Sequence, residues 1–161
     1  MQNEQQLAAR LGQLLLAHGQ RVTAAESCTG GGVASAITAI AGSSAWFDLS
    51  VVTYSNEAKQ RLLGVSPALL QVHGAVSEPV AAAMAEGARA LAASDWALSV
   101  TGIAGPGGAT PGKPVGMVCF GLARAGSVQT TVCYFDGDRD AVRRQAVCHV
   151  LAWLCDCLSG Q

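Results

Sequence analysis

Hydrophobic residues recur along the chain with two different periods, and this alternation predicts helices interleaved with strands. Leucines at helical spacing over residues 7–15 predict an amphipathic first helix that ends near Gly19. The short apolar run at residues 21–25 suits a buried strand, and helical spacing returns from Val33 to about Gly42. The beginning of the chain therefore predicts helix, strand and helix.

The remaining pattern predicts further alternation and one hairpin. Strands are expected at residues 49–54 and 96–100. Helices, several with a serine or aspartate cap, are expected at residues 55–64, 67–72, 77–93 and 139–158. Residues 115–123 and 128–135 predict a hairpin around a turn of small residues. Because a hairpin is antiparallel, we expect an α/β fold with a mixed, mostly parallel sheet.

Composition and charge limit the size of the protein and the class of its partners. With 161 residues, the chain suits one domain, spanning residues 1–161, that buries its own core. Hydrophobic residues make up 50% and charged residues 13%, so we expect part of the surface to be covered in a homo-oligomer, a dimer or larger. A formal net charge of −1 argues against a nucleic-acid partner.

The sequence contains neither a recognisable targeting segment nor a typical metal-binding cysteine pattern. Residues 1–6 lack the basic region of a signal peptide, and no uninterrupted apolar run approaches the ~18 residues that cross a bilayer. We therefore expect a cytoplasmic protein with no membrane partner. The six cysteines form no C-x-x-C pair and are expected to be reduced. The cysteines of residues 148–157 and His149 do not converge on one helix face, which disfavours a zinc site.

The turn Ala24–Gly32, with the sequence AAESCTGGG, is the first candidate for a functional site. It joins a predicted strand to a helix, where unpaired N–H groups and the helix dipole favour an anion. Ser27 and the glycines that follow offer a nucleophile beside an oxyanion or phosphate cradle. Cys28 is a rival nucleophile, because a helix amino terminus lowers the pKa of a thiol. A purely structural turn, with Ser27 and Thr29 as helix caps, is equally compatible with this pattern.

Tyr54 and Lys59 are predicted at a second strand-to-helix junction. Tyr54 ends a strand, and Lys59 lies in or just after the first turn of the next helix. Open α/β sheets build their sites at such strand ends. The helix dipole and burial would both favour a neutral amine on Lys59, and a neutral amine can act as the base of a nearby serine. A solvated amine, or an ion pair with Glu57, is the alternative.

A Gly/Pro loop at residues 101–114 and the arginines of the last helix are candidates for anion binding. A loop of this length in a compact domain is typically functional, and its glycines expose backbone donors to a phosphate or ribose. Arg139, Arg143 and Arg144 crowd the first turns of the last helix, where cations oppose the dipole unless an anion is bound. The alternatives are a plain hairpin connector and a salt-bridged surface with neighbouring aspartates.

Two aromatic residues and one histidine are further candidates for functional roles, although none lies in a recognisable catalytic pattern. Trp46 and Phe47 lie in a predicted loop at residues 43–48, where we expect exposed or docking side chains that cover a ligand base or, more commonly, a subunit contact. His73 has no carboxylate or nucleophile at a recognisable spacing and is therefore expected to be structural.

Six segments, taken together and in order, closely resemble the CinA C-terminal domain family. They are TAAESCTGG at 23–31, VTYSNEAK at 52–59, HGAVSE at 73–78, TGIAGP at 101–106, KPVG at 113–116 and GDR at 137–139. The resemblance covers nearly the whole chain and is closest to stand-alone bacterial members, the nicotinamide-nucleotide amidases. It implies a three-layer α/β/α sandwich.

The resemblance also implies an activity and a set of site residues. Such proteins hydrolyse the carboxamide of nicotinamide mononucleotide to nicotinate mononucleotide and ammonia, in pyridine nucleotide recycling. The family's serine, tyrosine and lysine fall on Ser27, Tyr54 and Lys59. Ser27 would attack the amide carbon while Lys59, with Tyr54 relaying or positioning, takes its proton. The expected substrate-binding residues are Thr29, Gly30 and Gly31 for the oxyanion, and Gly102, Gly105 and Arg139 or Arg143 for the ribose phosphate.

The same resemblance implies that no cofactor and no metal is needed. In two-domain members a metal-dependent nucleotide pyrophosphatase activity belongs to an additional domain, and it is not expected of these residues. Two other functions stay open. One is a catalytically silent nucleotide-binding regulatory module linked to competence or recombination, and the other is an amidase for a different small carboxamide.

Overall fold

The computed structural model describes residues 2–160 and contains five strands and six helices. The strands are β1 (Val22–Glu26), β2 (Phe47–Val52), β3 (Trp96–Gly102), β4 (Met117–Arg124) and β5 (Ser127–Tyr134). The helices are α1 (Glu4–His18), α2 (Gly32–Thr38), α3 (Asn56–Leu63), α4 (Pro67–His73), α5 (Glu78–Ala92) and α6 (Arg139–Ser159). A single 3₁₀ turn at Ser43–Ala45 precedes β2.

The five strands form one mixed sheet in the order β2-β1-β3-β4-β5. The β2–β1 and β1–β3 pairs are parallel, whereas β3–β4 and β4–β5 are antiparallel. Strand β4 alone therefore runs against the other four. The predicted mixed, mostly parallel sheet and the predicted hairpin are confirmed.

Helices cover both faces of the sheet, which makes the predicted three-layer α/β/α sandwich. Helices α1, α2 and α6 contribute to one hydrophobic cluster, and α4 and α5 with the end of α3 contribute to the other. Successive side chains of a strand point to opposite faces. Accordingly, Trp96 and Leu98 of β3 belong to the first cluster, while Ala97 between them belongs to the second.

Serine and aspartate caps begin the helices near the sheet edge. The side chains of Ser55, Ser77 and Asp138 accept hydrogen bonds from backbone N–H groups in the first turns of α3, α5 and α6, as predicted. Some boundaries differ from the sequence pattern: α2 ends at Thr38, and β2 spans Phe47–Val52. Within residues 2–160, no helix combines the length and the hydropathy needed to cross a membrane.

The expectation of exposed aromatic residues at Trp46 and Phe47 is wrong. Trp46 is 2% exposed and Phe47 is 9% exposed. A Cβ on Gly12 of α1 would lie 2.7 Å from the Trp46 ring, so the missing side chain of this glycine provides the space for the indole. Both aromatics belong to the core, and neither is available to a ligand or a second subunit.

The parallel strands bring three junctions to the same edge of the sheet. Glu26, the last residue of β1, is in register with Val52 on one side and Val100 on the other. The segments that follow β1, β2 and β3 therefore leave the sheet side by side. This is the edge at which open α/β sheets place their sites.

Gly87 provides a test of the packing between α5 and α3. A Cβ at this position would overlap the backbone carbonyl of Leu63, which cannot move without shifting α3. We expect Gly87→Ala to lower the free energy of unfolding by about 2 kcal/mol, as overpacking does. On an open helix surface, the same Gly→Ala change would raise the free energy of unfolding by about 1 kcal/mol, because alanine favours the helical conformation more than glycine does.

Urea denaturation of the purified variant measures this free energy. Ala90→Gly, at an exposed position of the same helix, is the matched control and should cost about 1 kcal/mol. A Gly87→Ala protein as stable as the wild type would contradict this account of the packing.

Candidate active site

A cleft of about 350 Å³ opens at the carboxyl ends of the parallel strands. The turn after β1 contributes Ser27 and Cys28, and the β2–α3 junction contributes Tyr54, Asn56 and Lys59. The walls are completed by the loop between α4 and α5, the end of β3 with the loop that follows it, and the first residue of α6. These segments contribute Ala75, Val76, Thr101, Gly102, Ile103, Ala104, Gly105, Gly107, Gly108 and Arg139. The cleft is within the size range of small-molecule sites.

Ser27 and Lys59 meet at the base of this cleft. The Lys59 Nζ atom is 3.0 Å from Ser27 Oγ, close enough for a hydrogen bond. Lys59 is only 1% exposed, and Ser27 is also buried. The Ser55 cap begins α3 one turn before Lys59 and directs this side chain inward. The structure therefore brings these two predicted residues within hydrogen-bond distance, and that they act together stays a prediction.

Backbone carbonyls orient the amine of Lys59. Its Nζ atom donates to the carbonyl oxygen of Thr53 at 2.7 Å and to that of Tyr54 at 3.5 Å. Burial lowers the pKa of Lys59, so the neutral form is favoured relative to an exposed lysine. A neutral amine has two hydrogens and one lone pair. In the neutral form, with both hydrogens directed at these carbonyls, the position of the nitrogen that points toward Ser27 Oγ would be a lone pair able to accept the serine proton.

The predicted anion cradle at the start of α2 is already occupied by Glu26. This fully buried carboxylate accepts hydrogen bonds from the N–H groups of Gly31, Val33 and Ala34, at 2.9–3.2 Å. It also accepts the hydroxyl of Thr29 at 2.6 Å. The helix amino terminus thus has an internal anion and does not point its N–H groups at a ligand. This role of Glu26 was not predicted, because its carboxylate lies six positions before the first residue of α2, outside the local capping patterns that a sequence shows.

The turn still leaves two N–H groups for a ligand. The N–H groups of Ser27, Gly30 and Gly32 donate to backbone carbonyls. Among residues 2–160, those of Cys28 and Thr29 have no such partner. Thr29, Gly30 and Gly31 do not line the cleft, whereas Cys28 does. The N–H group directly after Ser27 is therefore the better placed donor for an oxyanion.

Arg143 bonds to the turn but does not line the cleft. Its guanidinium donates to the carbonyl oxygens of Cys28 and Thr29, each at 3.1 Å. It does not line the cleft, so its position gives no support to a role in binding phosphate there. Arg139 does line the cleft: it donates to the Gly105 carbonyl at 2.8 Å and to the Tyr54 hydroxyl at 3.1 Å. Of the two candidate arginines, the structure brings only Arg139 to the site.

Cys28 lies beside Ser27 but is poorly suited to act as a nucleophile. Burial raises the pKa of its thiol to about 11, and the opposing effect of Arg143 is smaller. A thiol with this pKa is almost entirely protonated at neutral pH. The lowering of the thiol pKa expected from the helix dipole does not prevail, because the loss of solvent around the buried thiol is the largest effect on its pKa and the nearby Glu26 carboxylate adds to it.

The other sequence candidates have structural roles. The His73 carbonyl accepts a hydrogen bond from Lys113, which ties the long loop to the end of α4, so the histidine contributes its backbone.

Within residues 2–160, no three His, Cys, Asp or Glu side chains are grouped closely enough to hold a metal ion. Asn56 and Thr101 also line the cleft. Neither was named individually from the sequence, although Thr101 belongs to the 101–114 segment that was predicted to bind an anion.

These features define a class: a three-layer α/β/α protein with a buried serine–lysine pair at its parallel strand ends. The sequence profile described as the CinA C-terminal domain matches residues 4–158. The chain therefore belongs to the CinA C-terminal domain family.

Relatives and solved structures agree with this assignment. A protein named nicotinamide-nucleotide amidohydrolase PncC, from Escherichia coli strain K12, is 55% identical over 92% of this chain and 91% of its own length. The protein of that name from Enterobacter agglomerans is 56% identical over 88% of this chain and 87% of its own length. The crystal structure of competence damage-inducible protein A from Klebsiella pneumoniae has a TM-score of 0.96 and 42% identity, covering 98% of each chain.

Proposed function

We propose that this protein hydrolyses the carboxamide of nicotinamide mononucleotide, giving nicotinate mononucleotide and ammonia in the recycling of pyridine nucleotides. The observation that carries the proposal is the 3.0 Å hydrogen bond between the buried Lys59 amine and Ser27 Oγ inside a ligand-sized cleft. Relatives that are 55% and 56% identical over most of the chain are named for the amidohydrolysis of nicotinamide nucleotides. A serine with an adjacent base is the apparatus that acyl transfer requires.

In the first half of the reaction, Ser27 is the nucleophile and Lys59 is the base. The neutral Lys59 amine accepts the proton of Ser27 as Oγ attacks the amide carbon. The Cys28 N–H group donates to the oxyanion of the tetrahedral intermediate. Lys59, now protonated, gives its proton to the departing nitrogen, which leaves as ammonia, and an ester joins the acyl group to Ser27.

In the second half, water takes the place of the serine. Lys59 is neutral again after ammonia departs, so it can take a proton from water as the water attacks the ester carbon. The protonated lysine then returns a proton to Ser27 Oγ. The serine is restored, and the carboxylic acid product loses its proton to solvent and leaves as the carboxylate. The proton transfers to and from Ser27, the leaving nitrogen and the attacking water all use the same amine, which is why its burial and its orientation matter.

The phosphate of the substrate is assigned to Arg139. Its guanidinium is the one arginine group that lines the cleft within residues 2–160. The Gly105 carbonyl and the Tyr54 hydroxyl hold it, and a guanidinium fixed in this way is well suited to a phosphate oxygen. Gly102 and Gly105 form the adjoining wall and are proposed to lie against the ribose phosphate.

We further propose that residues 1–161 work as one domain within a homo-oligomer, a dimer or larger. Both hydrophobic clusters share the same sheet, which supports a single domain. The low proportion of charged residues, 13%, supports a partly covered surface. The sequence also predicted a subunit contact at exposed Trp46 and Phe47 side chains. Because both are buried, they give no support to an oligomer.

Ammonia release from nicotinamide mononucleotide, measured with a chelator present, tests the proposed reaction. We expect turnover by the wild type and a loss of kcat of about 10³-fold or more in both Ser27→Ala and Lys59→Met, because each removes one member of the acting pair. Thermal melts of the variants check that they fold. Loss of activity in Cys28→Ala with full activity in Ser27→Ala would overturn the choice of nucleophile.

The same assay with the wild-type protein also distinguishes the proposed reaction from the two alternative functions. Nucleotide binding without ammonia release would favour the silent regulatory module. Turnover of other small carboxamides in preference to nicotinamide mononucleotide would favour a different amidase.

The pH dependence of kcat/KM tests the role of the neutral lysine. Because the base must be unprotonated, activity should rise with pH through the pKa of Lys59 and level off above it. Burial lowers this pKa, so the rise should lie below the range of an ordinary lysine. Lys59→Arg keeps a permanent charge and should stay inactive across the whole range. A profile that rises only at the ordinary lysine pKa would contradict this mechanism.

Comparing the mononucleotide with its riboside tests the phosphate assignment. The wild type should prefer the mononucleotide. Arg139→Ala should raise KM for the mononucleotide about tenfold, because losing one charge-assisted hydrogen bond weakens binding by about this factor. KM for the riboside, which has no phosphate, should change far less. Arg144→Ala is the matched control, because Arg144 is an exposed residue of α6 that does not line the cleft. Equal turnover of both substrates by the wild type would refute the assignment.

A further inference from the structure

Tyr54 is the only aromatic residue that lines the cleft within residues 2–160. Its side chain is 62% exposed, although Lys59, five positions later, is buried. An exposed aromatic face in a concave site offers a flat apolar surface to a ligand. No core packing accounts for the position of this ring.

The hydroxyl of Tyr54 is engaged away from the reacting groups. It accepts a hydrogen bond from Arg139 at 3.1 Å, and within residues 2–160 it has none with Ser27 or Lys59. Lys59 reaches Tyr54 only through the backbone carbonyl. The hydroxyl therefore holds the ring and the arginine in place, and the observed bonds provide no route for a proton from Ser27 through this tyrosine.

The groups of the cleft follow the same order as the groups of the proposed substrate. The backbone of Tyr54 adjoins the Lys59–Ser27 pair, and its hydroxyl end adjoins Arg139. In nicotinamide mononucleotide the carboxamide is followed by the pyridinium ring, the ribose and the phosphate. If the carboxamide lies at Ser27 and the phosphate at Arg139, as proposed above, the pyridinium would lie between them, in the part of the cleft that Tyr54 lines. Its nitrogen is quaternary, so the substrate ring is a cation.

We propose that Tyr54 binds the substrate by cation–π stacking on its pyridinium ring, so that the site selects the oxidised, cationic nucleotide over its reduced, neutral form. This inference rests on the proposed function and names the chemical form of the substrate. Tyr54 is then a substrate-binding residue that sets specificity, whereas the family resemblance implies that it relays a proton or positions the reacting groups.

The charges around the ring are compatible with a cationic ligand. Burial lowers the pKa of Lys59, which favours the neutral amine and so weakens any repulsion of the pyridinium. Arg139 lies at the hydroxyl end of Tyr54, where the phosphate would offset its charge. The arginine bonds to the oxygen at the edge of the ring, and this contact leaves the aromatic face free.

The test compares nicotinamide mononucleotide with its reduced form in wild type, Tyr54→Phe and Tyr54→Leu. The readout is the ratio of kcat/KM for ammonia release from the two substrates. Their carboxamides differ in intrinsic reactivity, but this difference is the same for every variant and cancels when the ratios are compared. We expect the oxidised form to be preferred by the wild type. Tyr54→Leu should lower the ratio about 2- to 30-fold, which corresponds to the usual strength of a cation–π contact.

Tyr54→Phe should keep the ratio of the wild type, because it retains the aromatic face. Tyr134→Leu is the matched control, because Tyr134 is 65% exposed at the end of β5 and does not line the cleft. Its replacement should leave kcat/KM for both substrates unchanged. An unchanged ratio in Tyr54→Leu, or a thousandfold loss of kcat in Tyr54→Phe, would overturn the inference and restore the relay. Failure of the wild type to release ammonia from the mononucleotide would refute the proposed function itself.

Discussion

The buried carboxylate of Glu26 fixes the turn on which the site is built. It ends β1 and bonds to the first N–H groups of α2 and to the Thr29 hydroxyl, so one side chain joins strand, turn and helix. A buried carboxylate is costly unless its oxygens are fully bonded, and here the helix dipole adds to the hydrogen bonds. Ser27, the next residue, is placed at the strand end by this arrangement.

The other half of the site depends on a second buried polar group. Lys59 is held by carbonyl oxygens of the β2–α3 junction, and these bonds compensate for the loss of water around its amine. Burial favours the neutral amine, and among residues 2–160 no ion pair with a carboxylate opposes this effect. The pair of buried groups, Glu26 and Lys59, thus separates two tasks: one stabilises the turn and the other is available for proton transfer.

Much of the fold follows from local patterns in the sequence. Helical spacing, serine and aspartate caps and the hairpin signal identified every helix and strand, with errors of a few residues at α2 and β2. Ser27, Tyr54 and Lys59 became candidates from strand-to-helix junctions and from family resemblance. The aromatic residues were misjudged because burial of Trp46 depends on Gly12, which is distant in sequence and has no side chain to fill the same space.

The sequence by itself determined the order of the elements, the α/β class and the residue types available at each junction, because these depend on local spacing and on composition. Only the tertiary structure decided which of those residues meet. Parallel pairing of β1 with β2 brings Lys59 to Ser27 across 32 positions. Glu26 occupies the predicted anion cradle, and Arg139 rather than Arg143 reaches the cleft. Such contacts depend on register and on the direction of side chains, which no local pattern contains.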